Sequence, residues 1–284
     1  MLLVITGWRL NNMPELPEVE TVKNGLEKIY LNKVIKNVKV NYNNIIANID
    51  ATSFEKLLVN QEIISFSRKG KFIIINLTSC KLLVHLRMEG KFKFKEELID
   101  KHSHVIFTFK DDSILIYHDV RKFGRIYYYD SSVDIYKVAP LNKLGLEPME
   151  VNDESYLYNK LKKINKPIKT TLLDQSILAG IGNIYADEIC FACKINPLTK
   201  ASEISYTKSI EIIKQSSVIL KEAIKDGGST IKSFQSSHGV DGLFQQKLKV
   251  YGKGNMPCSE CGHLIIKTFV NKRGTHYCPN CQKG

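Results

Sequence analysis

The chain has 284 residues, 43% hydrophobic and 25% charged, with 41 Lys and Arg against 29 Asp and Glu, a net charge of +12. That length points to two domains, and that surplus to a polyanionic partner, nucleic acid first, with a generally basic soluble protein as the alternative. No run reaches the roughly 18 apolar residues of a membrane span, the apolar opening Met1 to Ile5 falls short of the about 7–15 residues of a secretory core, and seven cysteines, an odd number, argue against an exported disulfide framework, so a reducing cytoplasm is expected.

Twelve residues precede Met13-Pro14-Glu15-Leu16-Pro17-Glu18-Val19-Glu20. Trp8 is encoded only by TGG. With Arg9 as AGG the pair reads TGGAGG, which contains a purine-rich ribosome-binding sequence, and Leu10 to Asn12 separate it from Met13. The expectation is that residues 1–12 are an untranslated leader, that synthesis starts at Met13, and that an aminopeptidase removes it. Pro14 would then carry a free secondary amine. An α-amino group titrates at roughly 7.7–8.0, so part of it is nucleophilic near neutrality. Glu15 beside it is placed for acid–base work. With the leader attached, the Pro14 nitrogen is a tertiary amide and cannot attack.

Pro17 suits a first helical turn, and Glu18 and Glu20 suit its positive dipole end. Val19, Val22, Leu26 and Ile29 recur at helical spacing, so a helix should anchor the N-terminus in a core. From Lys33 to Asp130 β-type runs dominate: Val34–Val40, Phe72–Leu77, Leu82–Leu86, His104–Lys110, Ile114–His118 and Arg125–Tyr129. Lys110 to Ser113 reads as a hairpin turn, and Ser53–Val59 as a short helix. The expected class is α+β, opening with a β-sandwich over 13–138. Residues 139–150, with Gly and two Pro, read as a linker. Helices are expected over Tyr156–Ile164, Ile168–Gln175, Ile184 to Cys193 and Ser205 to Lys225, the last stopped by Gly227-Gly228. They fill a helical domain over 151–245, with a polar mobile loop at 229–244. Residues 246–284 form the last unit.

That unit holds the strongest local signal. Cys258-Ser-Glu-Cys261 and Cys278-Pro-Asn-Cys281 match a tetrahedral four-cysteine zinc site, structural because no coordination position stays open. Cys190 and Cys193 form a third CxxC in an apolar helix with no second pair, and read with Cys80 as packing residues. Gly180-Ile181-Gly182-Asn183 enters a helix. Such a turn can offer backbone N–H groups to a phosphate, and alone is more often just a tight turn. Arg68-Lys69-Gly70-Lys71 alone would be a solvated basic turn. Asp119 to Arg125 interleaves Phe123 with cations, as a base-stack wedge does; alone it is an ordinary charged hairpin.

Pro14 to Thr21, the Arg68 to Phe72 run, His85-Leu86-Arg87-Met88, Arg121-Lys122-Phe123-Gly124, Gly182-Asn183-Ile184-Tyr185-Ala186 and the four-cysteine finger occur in one order. Together they resemble the bacterial formamidopyrimidine-DNA glycosylases over residues 13–284. The resemblance implies a β-sandwich with flanking helices, a helix–two-turn–helix domain and a zinc-finger hairpin around a DNA cleft. It implies a monomeric base-excision repair enzyme that removes 8-oxoguanine and formamidopyrimidines from duplex DNA and cuts the strand by β,δ-elimination. A stacked nucleotide must be flipped out for this. By the same resemblance Pro14 attacks C1′ and Glu15 donates a proton. Lys71 contacts phosphate and assists elimination. Met88, Arg121 and Phe123 fill the vacated space. His102 and Asn183 contact DNA, and Arg273 grips flanking phosphates and assists δ-elimination. Asn165 stands where the family has a basic contact, with Lys166 adjacent. Two rivals stay open: an endonuclease VIII-like enzyme for oxidised pyrimidines, and a zinc-finger DNA-binding protein without catalysis.

Overall fold

The computed structural model describes residues 13–229 and 243–283. The expected leader and all but the ends of the expected loop 229–244 lie outside the described residues. The chain builds two antiparallel four-stranded sheets, a helical unit and a two-stranded finger.

Helix α1 (Leu16–Tyr30) opens the fold with Pro17 in its first turn, and Glu18 reaches back to the Glu15 N–H. Val19, Val22 and Leu26 are buried as their spacing predicts. Ile29 is 37% exposed instead, and Tyr30 takes its place in the core. The helix ends there, so the stripe closes on the aromatic, whose hydroxyl donates to the Ile114 carbonyl.

One sheet runs β1 (Ile35–Val40), β6 (Ser103–Phe109), β7 (Ile114–His118), β5 (Lys91–Lys93), and a short helix α2 (Ala51–Leu58) packs beside β1. The other runs β2 (Ile63–Lys69), β3 (Phe72–Leu77), β4 (Cys80–His85), β8 (Arg125–Asp130). Strand β3 reads FIIINL and is apolar on both faces, which suits a strand covered on both sides. Ile73, Ile75 and Leu77 enter the sandwich core, while Phe72 and Ile74 meet Leu83, Ile135 and Leu141 outside it. Leu141 comes from the stretch expected to be a linker. That stretch is packed, with two 3-10 turns at Leu141–Lys143 and Pro148–Glu150.

The helical unit holds α3 (Ser155–Leu161), α4 (Ile168–Leu172), α5 (Asn183–Ala192) and α6 (Tyr206–Lys225). Ser205 caps α6 by accepting from the Lys208 N–H, and Gly227 and Gly228, both at positive φ, end it. Helix α4 stops before the expected Gln175 because that side chain turns to the next loop: it accepts from Gly180 N–H (3.0 Å) and donates to the Ile181 carbonyl (2.8 Å). Cys190 and Cys193 are buried here, and Cys80 in the sandwich, as packing residues. Leu16, at the head of α1, sits in the core of this unit and not with Val19. The finger pairs β9 (Ile266–Val270) with β10 (Arg273–Tyr277). Its tip, Asn271 and Lys272, has φ of 47° and 63°, the geometry of a two-residue type I′ turn.

Candidate active site

Glu15 is 2% exposed. Its carboxylate accepts from the N–H groups of Gly182 (2.6 Å), Ile184 (2.8 Å) and Tyr185 (3.4 Å) at the start of α5. The glycine-rich turn therefore gives its amides to a carboxylate of the chain itself, where the sequence suggested a phosphate. The glycines are required for that approach. A Cβ on Gly182 would lie 2.3 Å from Glu15 Cδ, and one on Gly180 (φ +97°) 2.4 Å from Leu16 Cδ1. Burial pushes the Glu15 carboxyl up to about 7, against the pull of Lys71 and the α5 amides and with the help of Glu18. A helix N-terminus and a cation favour the charged form; here desolvation outweighs both.

Lys71 is 8% exposed and donates to the Ile181 carbonyl (2.9 Å). Burial holds its ammonium below the ordinary lysine range, opposed by Glu15 and Glu18. The turn that carries it is pinned from afar. Arg68 makes a two-pronged pair with Glu147 (2.7 and 2.9 Å) and a third bond to Glu20 (2.7 Å). Gly70, at φ +57°, gives its N–H to Glu147 (2.7 Å), and Lys69 pairs with Glu150. Arg68 and Lys69 are thus structural, unlike the solvated turn their sequence suggests.

Glu15, Lys71, Met88, Asn183 and Arg273 line one cleft of about 820 Å³, with Met13 at its edge. Pro14 is half-buried between Met13 and Glu15. His85 lines the cleft as well, paired across the sheet with Phe72 beside Lys71. Its Nδ1 accepts from the Arg87 N–H (3.0 Å), and burial, with Arg87 and Lys71 nearby, lowers its pKa to about 3. A neutral imidazole can accept; the bond bends the chain into left-handed Arg87 (φ 55°) and presents Met88.

Arg121, Phe123 and His102 stand outside that lining. Arg121 lies over the Phe123 ring (4.8 Å), and Phe123 is 50% exposed at the tip of the β7–β8 loop. Fully buried Asp119 shapes the loop by accepting from Arg121 N–H (3.0 Å) and Gly124 N–H (2.8 Å). The His102 N–H donates to Asp100, and its carbonyl accepts from the Asp119 N–H. Asn183 donates to the Gly274 carbonyl (3.1 Å) of the finger, so one of its two amide hydrogens is already engaged. Asn165 accepts from the Ser202 hydroxyl, so it is a loop brace.

In the finger Cys258 Sγ and Cys281 Sγ are 3.9 Å apart, Cys261 Sγ and Cys278 Sγ 3.4 Å, and all four sulfurs lie within 4.8 Å of one another. A tetrahedron with Zn–S of about 2.3 Å has edges of about 3.8 Å. The donor set fits one structural zinc.

Three family models cover the chain in the order of these units. They are the formamidopyrimidine-DNA glycosylase N-terminal domain at residues 13–126, the formamidopyrimidine-DNA glycosylase H2TH domain at 144–235, and the zinc finger found in FPG and IleRS at 257–284. The formamidopyrimidine-DNA glycosylase of Cytobacillus firmus is 45% identical over 274 residues, spanning 95% of this chain and 100% of that protein.

The chain belongs to the formamidopyrimidine-DNA glycosylase family.

Among solved structures, Lactococcus lactis Fpg (MutM) with Fapy-dG-containing DNA superposes with a TM-score of 0.87 at 37% identity, covering 95% of this chain and 100% of that one. MutM in complex with carbocyclic 8-oxo-G-containing DNA gives 0.87 at 38%, with the same coverage. No helix among the described residues is long and apolar enough to cross a membrane.

Several residues given no role by the family's motifs hold the site together. Lys169 and Asp187, both fully buried, pair at 2.7 Å. Lys169 also donates to the Gly274 carbonyl (2.7 Å) and Thr275 Oγ1 (2.8 Å), and Asp187 accepts from the His276 N–H (2.9 Å). This buried cluster fixes the strand that begins with Arg273. A lysine amid Ile168, Thr171 and Leu172, and an acid within the apolar run of α5, were its only sequence signals. Glu18 accepts from Tyr185 Oη (2.8 Å) and from Ser229 N–H (2.8 Å) and Oγ (3.0 Å), tying α1 to the end of α6.

Proposed function

We propose that this chain, with Pro14 as its first residue, is a bifunctional DNA glycosylase and abasic-site lyase for oxidised purines. The observation that carries the reading is the Glu15–Lys71 pair. An acid poised near neutrality directly follows the residue whose amine would react, and a buried lysine pulls on that acid from the wall of the same basic cleft. The Pro14 nitrogen attacks C1′ of a flipped nucleotide, and the C1′–N9 bond breaks as the base leaves with the proton that the amine gives up. Glu15 supplies the proton that lets the sugar ring open at O4′, leaving an iminium at C1′. Loss of a C2′ proton then expels the 3′ phosphate, and a second elimination expels the 5′ phosphate. Lys71 lies beside this centre to neutralise phosphate and assist proton transfer. Arg273, on the finger, faces the phosphates of the second step.

Met88, Arg121 and Phe123 fill the vacated stack, while His102 and Asn183 hold the strand. Asn183 does so with its second amide hydrogen, the first being bonded to Gly274. The enzyme works as a cytoplasmic monomer and joins the nucleoid when on DNA. On duplexes with one lesion opposite cytosine, 8-oxoguanine should be excised and the strand cut at both phosphates. Faster excision of thymine glycol would assign the chain to oxidised pyrimidines instead. Replacing Arg273 by Ala should weaken binding and reduce the slope of log K against log salt by about one. An unchanged slope would remove Arg273 from the phosphates.

A further inference from the structure

The finger presents an aromatic side chain that neither the zinc site nor the reaction employs. Phe269 is 70% exposed and lines the same cleft as Glu15, Lys71 and Arg273. Across the hairpin it faces Gly274, so no side chain covers its ring from the opposite strand. One rung towards the tip, Val270 faces Arg273. Lys267 shares its strand face, two residues back, and Lys272 stands at the tip; both line the cleft. Met256, 51% exposed, adds a second apolar side chain to that wall.

An exposed phenylalanine set among cations on a concave wall is costly to leave in water. Its surroundings suit one ligand class, a nucleotide strand: the cations take phosphates, and the ring takes the apolar face of a sugar or base. Lys272 supports this assignment. A lysine sits at φ 63° in a turn position where glycine or asparagine is favoured, so the tip keeps a strained cation aimed at the cleft. We propose that Phe269 is a DNA-contacting residue whose ring packs on a nucleotide flanking the lesion, next to the phosphate gripped by Arg273. The proposal rests on the glycosylase reading for the position of the strand, and on the finger's own geometry for the contact.

The test measures binding without chemistry. The zinc-loaded full chain is titrated with a duplex carrying a tetrahydrofuran abasic analogue, which forms no Schiff base, between about 50 and 200 mM salt. Phe269→Ala should bind about tenfold more weakly at every salt concentration, with the parent's salt slope, as expected for one lost stacking contact. Phe269→Trp should restore the affinity. Lys272→Ala should instead lower the slope by about one. Zinc content should match the parent in all three. Phe269→Ala binding as tightly as the parent would overturn the contact. So would a Phe269→Ala protein that has lost zinc or shows a flattened slope, because the ring would then serve the finger or its cations. A parent that does not prefer the abasic duplex over undamaged DNA would sink the glycosylase reading itself, and the contact with it.

Discussion

Borohydride added to a chain that begins at Pro14, mixed with an 8-oxoguanine duplex, should yield a covalent protein–DNA adduct; the chain with residues 1–12 still attached should yield none. An amide nitrogen has no lone pair to give, so the extension removes the nucleophile while leaving every other group in place. The loss of excision should be on the order of 10⁴-fold or more, as for deletion of a catalytic nucleophile. The geometry supports a sharp contrast. Glu15 is clamped by three α5 amides, so the position of the preceding nitrogen is fixed. Met13 lines the cleft, so an amine formed by cutting the Met13–Pro14 bond would open towards the DNA. Equal trapping by the extended chain would end the assignment of Pro14. DNA affinity, set by the cleft and the finger, should differ little between the two forms.

Glu15→Gln should lower excision by about 10²–10⁴-fold, the usual worth of a general acid. Strand cutting at a ready-made abasic site should fall far less, because that sugar already opens to its aldehyde without the acid. Parent excision should decline as pH rises past about 7, where Glu15 loses its proton, and the variant should lack that limb. Stability should show the same group. The folded pKa, about 7, lies above the ordinary glutamate value of 4.5, so between these pH values the folded chain binds more protons than the unfolded one. Stability therefore falls as pH rises through that window, and the full penalty is present above about 7. The variant's melting temperature should fall less between pH 5 and pH 8 than the parent's. Parallel falls in the two proteins would mean that Glu15 is not the titrating group.

The sequence made its local patterns plain and hid its long-range bonds. Four cysteines at knuckle spacing define the finger because the ligands of each pair are near neighbours. Strands such as Ile114–His118 stand out because their runs of β-formers end at turn residues. Strand β2 does not stand out because Ile63–Lys69 mixes serines and cations among its apolar residues, and β5, at Lys91–Lys93, is only three residues long. Arg68 looked like a solvated cation because its acids, Glu20 and Glu147, lie far along the chain. The glycine turn looked like a phosphate cradle for the same reason: its anion, Glu15, is 167 residues away from Gly182. A backbone amide at a helix start calls for an anion, and the chemistry alone does not say whose.

Leu16 carries a further consequence. It lies in the core of the helical unit, while Val19, on the next turn of the same helix, lies in the core of the sandwich. The first turn of α1 thus works as a rivet through two plates. Glu15 hangs on the amides of one plate, and Lys71, from the other, holds the Ile181 carbonyl across the seam. Neither half folded alone could poise the acid or bury the lysine. The pairing of Glu15 with Lys71 therefore comes into being only when the two plates close on each other.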